Sequence, residues 1–220
     1  MSFAVASCPM MLMLRLVAAL ALMIGAAIPA QAAVTITFWS HELGNSFPHA
    51  FFTLRGTIDA TGQVVDANYG FTPKSISPAM LFGPVRGRLD IAKPHYIDGS
   101  DAQFSLVITD AQHAAVLVMV DEWSGEHGES EYRLNDRNCI SFTQEAARRV
   151  GLTGLDHPKL MKKPRSFLEA VAAANVGRVT VIDQHGKQYL ASLAPIVPVA
   201  PPPVVPTLPA PAALATVQPR

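Results

Sequence analysis

The sequence predicts an α+β domain: an antiparallel sheet built early in the chain, with helices added late. Three observations carry that reading. Val34, Ile36 and Phe38 alternate with polar residues, the period of a half-buried strand. The run His49-Ala50-Phe51-Phe52-Thr53-Leu54 and the return 63–71 flank Asp59-Ala60-Thr61-Gly62, the signature of a hairpin. Asn138 then stands directly before a helical pattern that begins at Cys139 and runs to Arg149 or Val150, ahead of Gly151. Asparagine is a preferred N-cap because its side-chain oxygen can accept from a free backbone N–H of the first turn.

The remaining elements follow in order. The 72–100 segment contains Pro73, Pro78, Pro84 and Pro94, and it is expected to be loop, with 82–87 lying over one end of the sheet. A short strand is expected over 104–109. Asp110 is placed to cap a helix over 111–123, whose centre Val116-Leu117-Val118-Met119-Val120 is continuously apolar. Periodicity cannot separate helix from strand in such a run, and length favours helix. A connector follows over 152–163. Ser166 and Glu169 have capping-box spacing after Pro164, and a closing hairpin is expected from 178–183 and 187–193.

Both ends are apolar for other reasons. Arg15 precedes an apolar run over 16–27, then Pro29 and Ala30-Gln31-Ala32. That order matches a secretory signal peptide cleaved near Ala32, and the run is shorter than the ~20 residues of a spanning helix. An uncleaved anchor is the alternative. The expected organisation is therefore a leader over 1–32, one α+β domain over 33–193, and a Pro-rich disordered tail over 194–220. The tail holds half of the chain's 18 prolines and no charge before Arg220, so it reads as a spacer or as a dock for an envelope partner. No spanning segment is expected after cleavage, and the product would be periplasmic or extracellular.

Charge narrows the partners. Seventeen Lys+Arg balance seventeen Asp+Glu, and the basic residues are scattered, which argues against nucleic acid. No phosphate loop, zinc spacing or serine elbow is present, so no cofactor or metal is expected.

The cysteines carry the chemistry. Cys8 leaves with the leader, so Cys139 remains unpaired, and an unpaired cysteine in an exported chain marks a reactive thiol or an intermolecular bridge. A helix N-terminus favours the thiolate. The competing reading is a small buried core residue. A nucleophile needs a base. Of His41, His49, His95, His113, His127, His157 and His185, most fall where surface or loop histidines fall. His49 opens a strand of the expected sheet and is the preferred partner, with His41 and His95 behind it.

An early strand with His49, a return ending Tyr69-Gly70-Phe71, a long insertion, and then Tyr132-Arg133-Leu134-Asn135 leading to Asn138-Cys139 resembles the circularly permuted papain-like hydrolases. These are the permuted relatives of NlpC-type cell-wall peptidases and of lecithin:retinol acyltransferase, in which the histidine precedes the cysteine. The resemblance covers roughly residues 35–152. It implies a permuted papain-like sheet packed against a Cys-bearing helix. It also implies Cys139 attacking an acyl carbon to form a thioester, and His49 shuttling the proton. The Cys139 N–H would help stabilise the oxyanion. The third member would be a polar residue beside the histidine strand, Asn68 first, with Thr72 or Asp66 as alternatives. The expected function is an exported cysteine hydrolase or acyltransferase acting on an amide, a peptidoglycan peptide above all, or on a related acyl bond. A non-catalytic envelope-binding domain on the same scaffold is the second expectation.

Overall fold

The computed structural model describes residues 33–42, 47–126, 130–196 and 198. The segment expected to be a leader (1–32), almost all of the Pro-rich tail and His127 lie outside the described residues. The described chain is a mixed α+β fold with a seven-stranded sheet, every pairing in it antiparallel. The strands are β1 (Val34–His41), β2 (His49–Thr57), β3 (Val64–Pro73), β4 (Val85–Asp90), β5 (Asp101–Ile108), β6 (Glu131–Tyr132) and β7 (Thr180–His185). Their spatial order is β6-β4-β3-β2-β1-β5-β7. The helices are α1 (Pro94–Asp98), α2 (Asp110–Trp123), α3 (Cys139–Arg149), α4 (Pro164–Ala174) and α5 (Gly186–Ser192).

Strand alternation divides the side chains between two layers. Ile36, Phe38, Phe52, Leu54 and Phe104 point to one face, where α2, α3 and α4 cover them. Phe38 stacks on Phe104 (centroids 4.8 Å apart), and Phe52 stacks on Phe142 of α3 at 5.6 Å. Trp39, Phe51 and Ala102 point to the other face, under Tyr96 and Ile97 of α1 and Tyr189 and Leu190 of α5. The buried Trp39 indole satisfies its N–H on Thr53 Oγ1 at 3.0 Å, as a buried donor must.

Of the expected loop over 82–87, 82–84 are outside any strand, but 85–87 begin β4, which pairs with β3 from Gly70↔Asp90 to Pro73↔Gly87. The prolines end elements here without preventing them. Pro84 precedes the strand and Pro94 opens α1, and both positions tolerate a missing N–H. The expected closing hairpin is also replaced. β7 pairs with β5, and the chain then turns directly into α5, with Gly186 N–H donating to Ser100 O at 2.7 Å. Tyr189 and Leu190 are neighbours in sequence, yet both pack on the Trp39 cluster. A strand would send them to opposite faces, and a helix keeps them on one.

Two caps differ from expectation. Thr109, not Asp110, caps α2, in a reciprocal box with Gln112. The Asp110 carboxylate is taken by the amides of Asp59 (3.1 Å) and Ala60 (2.9 Å), tying the β2–β3 turn to α2. Helix α4 starts at Pro164 with no side-chain cap, and Glu169 pairs with Arg165 at 3.0 Å. Among the described residues, no helix is long and apolar enough to cross a membrane.

Candidate active site

Cys139 is the first residue of α3, and its position is fixed by Asn138. The Asn138 side-chain oxygen accepts from Ile140 N (2.8 Å) and Ser141 N (3.2 Å), while Ser141 Oγ accepts from Asn138 N at 2.6 Å. The Asn138 amide nitrogen donates to Leu134 O (2.9 Å) and Met161 O (2.8 Å). One buried amide therefore caps the helix and stitches its start to two loops.

Cys139 is only 7% exposed. Burial pushes it up to about 11, against the pull of the backbone amides of Ala50, Ile140 and Cys139 itself. The helix start and these amides favour the thiolate, as the sequence suggested, but desolvation is the larger effect. The resting group is a thiol.

The Ala50 amide is informative because of its place. The β2–β3 ladder ends at Phe51↔Gly70, while β2 continues back to His49 and β3 continues on to Pro73. The two strands fork there, and the thiol sits at the fork, against the amide of Ala50, the residue that follows His49. His49 and Cys139 belong to opposite sheet faces. The His49 ring stacks near Phe51 (6.1 Å, 14°) and meets the edge of Tyr96 at 6.5 Å, whereas Cys139 packs with the Phe52–Phe142 layer. At the fork both line one cavity of about 130 Å³, together with Thr72, Asp90, Tyr96 and Tyr132. Among the described residues, no hydrogen bond joins the thiol to the imidazole.

Gly70 makes room for the ring. A Cβ there would lie 2.6 Å from His49 Nε2. Burial lowers His49 to about 4; the Asp90 carboxylate opposes this, and His41 and Arg88 reinforce it. His49 is therefore a neutral imidazole near pH 7, with Asp90 as the charge that favours its protonated form. Asp90 is itself paired with Arg88 at 2.8 Å.

His41 lies opposite His49 across the β1–β2 ladder and stacks on Tyr96 at 4.2 Å. Ser100 Oγ spends its hydrogen on Tyr96 O (2.7 Å), so it accepts from His41 Nδ1 (3.0 Å), which fixes that histidine as the Nδ1–H tautomer. Burial lowers His41, with Asp101 and Glu42 opposing.

The third-member candidates separate. Asn68 lies opposite Thr53, and its amide is spent on Ala92, accepting from Ala92 N at 2.6 Å and donating to Ala92 O at 3.2 Å. It braces the entry to α1 and does not line the cavity. Asp66 lies beside Arg55 at 3.8 Å, away from the fork. Thr72 lines the cavity, and carrying the β2–β3 register past its end brings it level with His49. Asp90 was not singled out from the sequence, because the strand that carries it falls in the stretch expected to be loop.

The other histidines lie elsewhere. His95 and His185 are exposed, His113 is buried on α2, and His157 meets Phe167 edge-on at 6.0 Å. Among the described residues, no group of three or more His, Cys, Asp or Glu side chains is placed to hold a metal ion.

A second cavity, about 320 Å³, meets the first at Cys139 and Tyr132. Leu134, Ile140, Met161 and Pro164 give it an apolar wall, and Lys162 is the charged residue that lines it. Tyr132 is buried, and desolvation holds its hydroxyl protonated far above the usual phenol range, so it is a hydrogen-bond donor beside the thiol. No family model, no curated protein and no solved structure matches this chain.

Proposed function

We propose that this chain is a cysteine hydrolase or acyltransferase of the permuted papain-like kind, acting through Cys139 and His49 on an amide or related acyl bond. The observation that carries the reading is the fork between β2 and β3, where the Cys139 thiol meets the Ala50 amide and shares a cavity with His49. The chain order, His49 before Cys139, is that of the permuted group. The leader residues favour delivery to the cell envelope, where peptidoglycan peptides are amide substrates.

Protonation sets the form of the mechanism. A thiol near 11 and an imidazole near 4 make the neutral pair the resting state. Moving the proton before attack costs on the order of 10 kcal/mol for a gap of about seven pH units. If binding of the acyl group brings the resulting ions to ~4 Å, their attraction returns about 4 kcal/mol at an effective dielectric constant near ~20. The remaining ~6 kcal/mol is affordable within a barrier of about 16 kcal/mol, which corresponds to turnover near ~10 s⁻¹. Coupling proton transfer to His49 with attack by sulfur on the acyl carbon avoids forming that ion pair as a separate step. His49 then returns the proton to the departing nitrogen or oxygen, and water releases the thioester by the same path in reverse. The Cys139 N–H, the Ala50 N–H and the Tyr132 hydroxyl are donors beside the sulfur that could serve a developing oxyanion.

The test is intact-mass detection of an acyl-enzyme on a panel of N-acyl amides, peptidoglycan peptides and acyl thioesters. An adduct is expected on the wild type and on His49→Gln at a much lower rate, and none on Cys139→Ser. Turnover that survives Cys139→Ser with the fold intact refutes the proposal. The raised thiol and the missing thiol–imidazole hydrogen bond favour a second reading, a non-catalytic binding domain. A wild type that forms no adduct yet retains one of the same peptides would establish that reading.

A further inference from the structure

The loop joining β3 to β4 is an apolar prong. Its Pro78–Leu81 residues form a 3₁₀ turn, closed by Met80 N→Ser77 O (3.2 Å) and Phe82 N→Ala79 O (3.0 Å). Met80 is buried in the main core and anchors the turn from below. Ile76, Leu81 and Phe82 point outward at 69%, 71% and 88% exposure. An ordered turn with a buried anchor that turns its three large apolar side chains to solvent calls for a partner.

The base of the prong is net positive: Asp90 is taken up by Arg88 at 2.8 Å, and Glu131, opposite Arg86 across the β4–β6 pairing, is taken up by Arg133, which leaves Lys74 and Arg86. From residue 67 to residue 89 the chain carries Lys74, Arg86 and Arg88 and no acidic residue. Lys74 and Arg86 stand side by side at the base, with Lys74 N–H donating to Arg86 O at 2.7 Å, and both are exposed. The prong is convex and offers three side chains, far short of the ~1,200–2,000 Å² that a stable protein interface buries. Apolar tips above a cationic collar suit the boundary between headgroups and acyl chains, where modest apolar insertion adds to attraction by anionic lipid. Ile76 and Met80 of the same loop also line the cavity that holds His49 and Cys139, so the prong's surface continues into the cavity wall.

We propose that the 74–86 loop is a membrane-surface anchor that inserts Ile76, Leu81 and Phe82 among anionic lipids and sets the cavity mouth at the lipid interface. The inference is independent of whether Cys139 reacts. The test is flotation of the 33–220 chain with vesicles of phosphatidylglycerol and phosphatidylcholine, compared with phosphatidylcholine alone. Binding to the anionic vesicles is expected, weakened several-fold by Lys74→Glu and at least tenfold by the triple variant Ile76→Ser, Leu81→Ser, Phe82→Ser. The triple variant should fold normally, since all three side chains are exposed, and circular dichroism checks this. Cys139→Ala should float like the wild type. Absence of wild-type binding, or equal binding by the triple variant, overturns the proposal. So does sedimentation showing that the wild type is a dimer and the triple variant a monomer, which would make the prong a contact between two copies.

Discussion

Alkylation of Cys139 is the measurement in which burial and the helix start make opposite predictions. In the 33–220 chain Cys139 is the only cysteine, so one thiol reports. Desolvation places it near 11, against an ordinary value of 9.0. Two pH units correspond to about 100-fold less thiolate at any pH below the lower value. Iodoacetamide labelling of the native chain at pH 7.5 should therefore run about 100-fold slower than labelling of the same chain in urea, before any further slowing from restricted access. Access changes the height of the rate curve, and the titration changes where it bends, so the inflection is diagnostic. The assay is the pseudo-first-order labelling rate from pH 6 to 11.5 by mass spectrometry, native and unfolded. A native curve still rising at pH 10 is the expected result. An inflection near or below pH 7 would refute the reasoning: the amides of Ala50, Ile140 and Cys139 would then have overcome burial, and the resting pair would be thiolate and imidazolium.

Three other outcomes follow from the same geometry. His49 is depressed to about 4, so between about pH 6.5 and 4 the unfolded chain takes up a proton that the native chain refuses, and acid costs up to ~3 kcal/mol of stability. Urea titrations at pH 7.5 and pH 4 should show a loss smaller by about that amount in His49→Gln than in the wild type, since His41 and His113 are lowered too, and an equal loss in both would exclude His49 as its source. Gly70→Ala sets a methyl 2.6 Å from His49 Nε2, which should displace the ring, cost about 1–3 kcal/mol in overpacking, and shift the His49 imidazole resonances while leaving α3 unchanged. Asn138→Ala removes the acceptor for two helix amides and leaves the Leu134 and Met161 carbonyls without that donor, for about 2–4 kcal/mol of stability by thermal unfolding. Asn138→Asp should not rescue it, because its second oxygen would face those carbonyls.

Local patterns carried much of this fold. The alternation at Val34–Phe38, the turn at Asp59–Gly62 and the cap at Asn138 each report a choice made within a few residues, and β1, the β2–β3 hairpin and α3 stand where those patterns put them. The elements that were missed depend on distant partners. β4 is short and carries Arg86 and Arg88, and only the free edge of β3 makes it a strand. α5 is a helix because Trp39 and Phe51 present an apolar surface to Tyr189 and Leu190 together. The site divides in the same way. Cys139 and His49 are candidates by their own residue type and local setting, whereas Asp90 faces His49 only through the β3–β4 pairing. Asn68 is the counterpart: a polar residue in the right strand, whose amide is claimed by Ala92, in a segment with no sequence signal of its own.

The thiol's place on the wall between two chambers gives the proposed reaction a direction. A carbonyl carbon bound at Cys139 carries two substituents, and the chambers differ in character: one is apolar and roomy, the other small and holding the imidazole. The departing group has to lie where His49 can hand it a proton, so it occupies the small chamber. The retained half then fills the apolar one. Cleavage would proceed like a ratchet, with a compact polar fragment discharged first and an oily fragment held as the thioester until water arrives through the chamber just emptied. In the proposed reaction, the position of one sulfur atom would then decide which half of a substrate can be enlarged without loss of rate.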